Sequence, residues 1–270
     1  MTGRAIPLRG SPGPGGLGMR ESYLYCVADS GERVSLGKIG VDGSEVYTVP
    51  YSGLCAVVHD CQPHPFQPSN EEMVRAWVMA HQKVVETAWE RWGTVLPTGF
   101  GTIVRVDAQE GMRRWLEEEC ESLRQKIAKV QGKAEYGVQV FWDPQAIAEE
   151  VAATSPEIRE LEEEIRSKPR GAAYMYRQRL ERLLKERMEA RADLRFREWC
   201  GRIREHVDDV RIERVKRATP PAQMLMNLSC LVDGGRYAEL RRELEEIDAT
   251  DGLSVRLTGP WPPYSFVGGA

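Results

Sequence analysis

The second half of the chain alternates between strand and helix patterns in an order that permits few folds. Apolar residues at every second position predict four strands, at 136–142, 210–212, 224–232 and 252–258. Apolar residues three or four apart predict the helices between them, at 144–153, 156–167, 172–207 and 237–247. The resulting order, β-α-β-β-α-β, is that of a ferredoxin-like domain with an enlarged helical crossover that includes one long helix. Such a domain has an antiparallel sheet with helices on one face.

The first half predicts another α+β domain, a sheet with two helices. Strand patterns occur at 22–28, 45–49, 54–59 and 95–104, the last of them interrupted near a proline. Capping residues open both helices, Ser69 with Glu72 before the first and Asp107 with Glu110 before the second. The second helix is expected to end near Gly132.

The N-terminal end differs in composition from the rest of the chain. Its first twenty residues are rich in glycine and proline and lack the apolar block of a signal peptide. We therefore expect a disordered leader at 1–20, an N-terminal domain at 21–133 and a C-terminal ferredoxin-like domain at 134–270. The predicted fold class is α+β with two domains.

The charge balance argues against two classes of partner. A formal net charge of -4 and a pI near 5.8 give no global attraction to nucleic acid or to an anionic membrane. The predicted sheets also lack the exposed aromatic motif and basic surroundings of an RNA-binding sheet. No apolar run approaches the roughly 20 residues that a membrane span needs. We expect neither nucleic acid nor membrane as a partner.

Cysteine and histidine residues raise the alternative of a metal site or an enzyme. The six cysteines form no C-x-x-C pair, and without an export signal they are expected to be reduced thiols in the cytoplasm. Four potential zinc ligands, Cys55, His59, Cys61 and His64, fall within ten residues and would allow a metal- or Cys/His-dependent enzyme. However, Cys55 begins an apparent strand interior, where successive side chains point to opposite faces, and no catalytic motif accompanies the cluster. His81, on an apolar helix stripe, is expected to be a hydrogen-bonded structural residue. The sequence therefore favours neither an enzyme nor a cofactor.

The chain ends in a proline-rich segment after the last predicted strand. Gly259 and Pro260 are expected to stop that strand, because proline donates no backbone hydrogen bond. Further prolines hold three aromatic residues in an extended segment, Trp261, Tyr264 and Phe266. Two interpretations stay open: a strap over the protein's own helices, or a ligand for an aromatic groove of a partner.

Several of these segments together resemble the gas vesicle protein F/L family, the accessory proteins of gas vesicle assembly. Near the N-terminus the resemblance rests on Y-L-Y-C-V-A, G-V-D-G-S-E-V-Y-T-V-P-Y and L-C-A-V-V-H-D. Further along it rests on A-H-Q-K-V-V-E, V-L-P-T-G-F-G-T, G-A-A-Y-M-Y-R-Q-R-L and the ending L-T-G-P-W-P-P-Y-S-F-V. It covers nearly the whole chain after the leader. The leader is longer than expected for the family, and Cys55, Cys61 and His64 fall outside its motifs.

The resemblance implies two α+β domains, no known enzymatic activity and no cofactor. It further implies binding to the small, hydrophobic major gas vesicle shell protein (GvpA type) and to other accessory proteins, in nucleating the vesicle or keeping shell subunits from aggregating. The protein would then act in the cytoplasm and at the gas vesicle. Three contact surfaces stay open: the tail with Trp261, Tyr264 and Phe266, the surface around the long helix, and an unpaired strand edge.

Overall fold

The computed structural model describes residues 21–61, 70–105, 108–215 and 222–267, so the predicted leader at 1–20 lies outside the described residues. The chain divides into two compact units, Met1–Glu135 together with Pro260–Ala270, and Tyr136–Gly259. This division differs from the predicted one in the C-terminal tail, which the sequence placed with the second domain. The tail groups with the first unit because its short final helix packs against a strand and a helix of that unit.

The first unit is built on an antiparallel sheet. Its strands are β1 (Glu21–Ala28), β2 (Ser35–Gly37), β3 (Val46–Tyr51), β4 (Leu54–Cys61), β5 (Val95–Pro97) and β6 (Ile103–Arg105). The order across the sheet is β2-β3-β4-β1-β5, and β6 pairs with the other half of β1. β5 and β6 together therefore form the last row on one side of the sheet. The prediction of a strand interrupted near Pro97 is confirmed by this arrangement.

Two helices pack on this sheet, α1 (Glu71–Trp92) and α2 (Ala108–Val130). α1 contacts β1 and β5, and α2 contacts β1, β3, β4 and β5. All eight residues of β1 are buried, as expected for a central strand covered on both faces. The N-cap of α1 is Asn70, whose side chain accepts a hydrogen bond from the Met73 amide, so the prediction of Ser69 as the cap was wrong by one residue. The predicted cap Asp107 lies outside the described residues.

The second unit has the predicted ferredoxin-like element order. Its sheet contains β7 (Lys133–Trp142), β8 (Asp209–Ile212), β9 (Gln223–Asp233) and β10 (Leu253–Trp261), in the order β10-β7-β9-β8. Counted within the unit, this is the order 4-1-3-2, in which the first and third strands are neighbours at the centre. The two sheets with their helices confirm the predicted α+β class.

The last strand departs from its prediction. β10 continues through Gly259 and Pro260 to Trp261, whereas the sequence predicted an end at Thr258. The proline is tolerated because β10 is the outermost strand, and an outer strand needs no hydrogen bonds on its free side. The tail beyond it is only briefly extended, since Tyr264–Val267 forms the short helix α7.

The helices of the second unit match the sequence pattern. They are α3 (Pro144–Thr154), α4 (Pro156–Ser167), the 36-residue α5 (Arg170–Glu205) and α6 (Tyr237–Asp248). The first three share an apolar cluster, in which buried Ile147, Val151 and Ile158 meet Leu180 and Leu184 of the long helix. α3, α4 and the first half of α5 thus form the predicted enlarged crossover.

Candidate functional site

The structure places the predicted Cys/His cluster inside the first unit. Cys55, His59 and Cys61 lie at alternate positions of β4, so they share one face of the strand. Cys55 and His59 are fully buried, and Cys61 is partly buried. His64 lies outside the described residues. Among the residues that the structure describes, no group of three His, Cys, Asp or Glu side chains is arranged to hold a metal ion.

Burial keeps these thiols in their protonated form. It raises the pKa of Cys55 to about 12 and the pKa of Cys61 to about 11. The thiolate is the form of cysteine that acts as a nucleophile or binds zinc, so an enzyme needs a thiol whose pKa is lowered. These two environments shift the pKa in the opposite direction.

The imidazole of His59 belongs instead to a buried network with His81 and two tyrosines. The Tyr25 hydroxyl lies 2.8 Å from His59 Nδ1, and the Tyr23 hydroxyl lies 2.9 Å from His81 Nδ1. His81 Nε2 donates to the Thr98 carbonyl at 3.1 Å, so its Nδ1 is the acceptor of the Tyr23 proton. His81 is thus a hydrogen-bonded structural residue, as predicted.

Backbone amides complete the same network. Val41 N donates to the Tyr25 hydroxyl at 2.8 Å, and Gly101 N donates to the Tyr23 hydroxyl at 2.9 Å. The Tyr23 hydroxyl therefore accepts from the Gly101 amide while it donates to His81, and the Tyr25 hydroxyl accepts from the Val41 amide beside His59 Nδ1. The network ties two backbone segments to the sheet, and its four side chains are buried.

The three aromatic residues predicted to bind a partner are separated by the structure. Phe266 is 5% exposed, and Trp261 is 42% exposed. Tyr264 packs, partly buried, against the apolar cluster between the sheet and α1. Of the predicted set, Trp261 is therefore the residue that presents an aromatic surface to solvent.

A buried carboxylate holds the tail in place. Glu135 accepts hydrogen bonds from the Ser265 amide at 2.7 Å and from the Ser265 hydroxyl at 2.6 Å. Phe266, one residue further, lies beneath Lys129 of α2, with 5.9 Å between Nζ and the ring centroid. α7 also contacts β5, the outer strand of the first sheet. The tail thus packs beside β5, at the side of the first sheet.

The other two predicted surfaces also present apolar side chains. On the outer strand β8 of the second sheet, Ile212 is 56% exposed, and Val215 beyond it is exposed to a similar degree. On the long helix α5, Tyr174, Met175 and Leu194 are exposed. Among the described residues, no helix is long and apolar enough to cross a membrane.

The described units define an α+β protein with a buried tyrosine–histidine network and a few exposed large apolar side chains. Residues 21–268 match the family model of the gas vesicle synthesis protein GvpL/GvpF, and the chain belongs to this family. Its role is therefore that of a gas vesicle accessory protein.

Individual relatives agree with the family model. The chain is 32% identical to gas vesicle protein L1 of Halobacterium salinarum over 260 residues, which cover 90% of this chain and 89% of the relative. It is 30% identical to gas vesicle protein L of Haloferax mediterranei, over 84% of this chain and 72% of the relative. The crystal structure of GvpF from Anabaena superimposes with a TM-score of 0.75 at 20% identity, covering 93% of this chain and 99% of that chain.

Proposed function

We propose that this protein binds the small, hydrophobic major shell protein of gas vesicles and assists nucleation and assembly of the vesicle. A shell subunit with exposed apolar helices or strand edges aggregates unless a partner covers that surface. The protein would supply this cover in the cytoplasm and at the growing vesicle, together with other accessory proteins and without a cofactor.

The observation that carries the proposal is the exposure of Trp261. An exposed tryptophan is costly to leave in water and is the type of residue that dominates binding energy at protein interfaces. Its backbone is held by Pro260 on one side and by the buried Pro262 and Pro263 on the other. The side chain is thus presented by a segment that has little conformational entropy left to lose on binding.

Replacement of Trp261 by alanine should weaken capture of the shell protein by roughly tenfold or more, the range of an interface hot spot. The melting temperature should stay nearly unchanged, because the indole is 42% exposed and contributes little to the core. The experiment is co-expression with the shell protein, followed by quantitative pull-down and by cross-linking to map the contact.

Ile212→Ala is the matched control, because Ile212 is a similarly exposed apolar residue on β8, the opposite outer strand of the second sheet. It should leave capture intact. Loss of capture by Ile212→Ala with full capture by Trp261→Ala would transfer the contact to β8. Full capture by both variants would contradict a binding role for either.

A further inference from the structure

The connection between α4 and α5 concentrates positive charge in a protein whose formal net charge is -4. Residues 165–180 contain five basic residues and no acidic residue: Arg166, Lys168, Arg170, Arg177 and Arg179. α4 ends at Ser167 and α5 begins at Arg170, so these residues lie at the end of a helical hairpin. We refer to residues 166–179 as the hairpin tip.

Two large apolar side chains lie exposed within this basic surface. Tyr174 is 61% exposed and Met175 is 73% exposed, the highest value for a large apolar side chain among the described residues. Gln178 Nε2 donates to the Tyr174 hydroxyl at 2.8 Å, which limits the freedom of the ring. The neighbouring Ala173 is buried, so the helix packs through a different face and leaves the Tyr174 and Met175 side chains in water.

The helical spacing places an arginine next to each apolar side chain. Arg177 lies three residues after Tyr174, and Arg179 lies four residues after Met175, so each pair shares a face of α5. Both arginines are exposed. The tip therefore presents two apolar groups, each flanked by a guanidinium group that can pair with a carboxylate in two-point geometry.

The charge at the tip is less tightly paired than the charge further along the hairpin. Further along the hairpin, Arg187 pairs with Glu157 at 2.5 Å and Arg191 pairs with Glu150 at 2.8 Å. At the tip, Arg166, Arg177 and Arg179 form no ion pair with a described residue, and Arg179 lines a groove with Glu160 and Glu164 of α4. The N-terminus of α5 lacks a side-chain cap and adds its own partial positive charge.

We infer that the hairpin tip is a docking site for an acidic amphipathic segment of another protein. Carboxylates of that segment pair with Arg177 and Arg179, and its apolar side chains cover Tyr174 and Met175. Charge complementarity selects this occupant, because the tip combines a local excess of positive charge with a small apolar centre. The site is distinct from Trp261 and does not depend on the proposed binding of the shell protein.

A membrane surface fits the tip less well than a protein segment does. A helix that lies in a membrane interface carries an apolar face along most of its length. Beyond residue 180, the exposed surface of α5 interleaves glutamates with basic residues, as in the ion pair between Lys185 and Glu189. The exposed apolar groups at the tip are limited to one turn of helix, which suits a short contact with another protein.

The test uses the full chain and a fluorescein-labelled peptide of about 14 residues that has leucine at helical spacing and glutamate elsewhere. Fluorescence anisotropy should detect binding that weakens as NaCl rises from about 50 to 500 mM, because salt screens exposed charges. The double variant Arg177→Glu with Arg179→Glu should weaken binding at least about tenfold, since two like-charge contacts replace two attractive ones. Tyr174→Ser with Met175→Ser should weaken binding while its salt dependence is retained.

Arg75→Glu with Arg242→Glu is the matched control, because both residues are exposed on other helices and the net charge changes by the same amount. This control should bind the acidic peptide like the unchanged protein. Equal losses in both arginine variants, or equal binding of a peptide with lysine in place of glutamate, would overturn the proposal. So would preferential binding of the tip to phosphatidylserine vesicles or to a single-stranded oligonucleotide, or self-association that the Arg177→Glu with Arg179→Glu variant abolishes.

Discussion

Replacing Phe266 by alanine is expected to lower the free energy of unfolding by about 3–5 kcal/mol, the usual cost of truncating a buried phenylalanine. The ring is 5% exposed and lies beneath Lys129, so its removal leaves a cavity between the tail and α2. α7 also contacts β5, and the loss of its anchor would expose that outer strand. Thermal and urea denaturation measure the loss, and light scattering reports whether the exposed strand promotes aggregation.

Two further variants give smaller losses for comparison, one at the carboxylate that binds the tail and one in the tail itself. Glu135→Gln removes the charge that accepts from the Ser265 amide and hydroxyl, and it should cost about 1.5–3 kcal/mol, the range for hydrogen bonds to a charged group. Trp261→Ala should cost much less, because Trp261 is 42% exposed whereas Phe266 is 5% exposed. Equal losses for Phe266→Ala and Trp261→Ala would contradict the packing of the tail.

The segments that the sequence predicted well are those whose signal is local. Alternating apolar residues in β7 and β9, and the apolar spacing along α5, each depend on residues less than a few turns apart. Their burial fixes the type of each element, so the β-α-β-β-α-β order of the second unit was readable before its strand pairing was known. The length of the long helix was likewise predicted to within a few residues.

The features that could not be predicted from the sequence depend on contacts between residues that lie far apart in the chain. Tyr23 and His81 are 58 residues apart, and Ser265 and Glu135 are 130 residues apart, so no local pattern links either pair. The end of β10 also depends on its place in the sheet, because Pro260 is acceptable only in a strand with a free side.

Closeness in sequence was misleading for both candidate sites. Cys55, His59 and Cys61 share a face of β4, but that face is the core side, where burial protonates the thiols and hydrogen bonds engage the imidazole. In the tail, the backbone changes from strand to helix within three residues after Trp261, so Phe266 turns into the core while the indole remains outside. Proximity in sequence therefore did not bring either set of residues together on an exposed surface.

Acidification from pH 7 to pH 4 is expected to destabilise the first unit strongly, because two buried histidines must then remain neutral. Desolvation lowers the pKa of His59 and the pKa of His81, each to about 4, from an ordinary value of 6.5. Between these values the unfolded chain binds a proton at each histidine and the folded protein does not, so stability falls as the pH falls. Each histidine therefore lowers the free energy of unfolding by about 3 kcal/mol between pH 7 and pH 4.

Other titratable groups around the network also affect how the free energy of unfolding depends on pH. Tyr23 and Tyr25 stay neutral over this range, since burial raises the pKa of both hydroxyls. The carboxylates of Asp42 and Asp60 act in the opposite direction on His59, because negative charge favours the imidazolium, but desolvation is the larger effect. The loss should therefore begin just below pH 7 and level off near pH 4, where the folded protein also takes up the protons.

Urea denaturation of the full chain at intervals from pH 7 to pH 4 measures this dependence. His81→Gln keeps a side chain that can donate to the Thr98 carbonyl and accept from Tyr23, so the variant should fold. Its free energy of unfolding should fall less on acidification, by about the amount that one histidine contributes. His206→Gln is the control, because His206 lies outside the buried network, near Glu239 and Glu243 at 3.8 Å. A stability that stays level from pH 7 to pH 4, or a slope that His206→Gln flattens and His81→Gln does not, would show that the buried imidazoles are not the groups that titrate on unfolding.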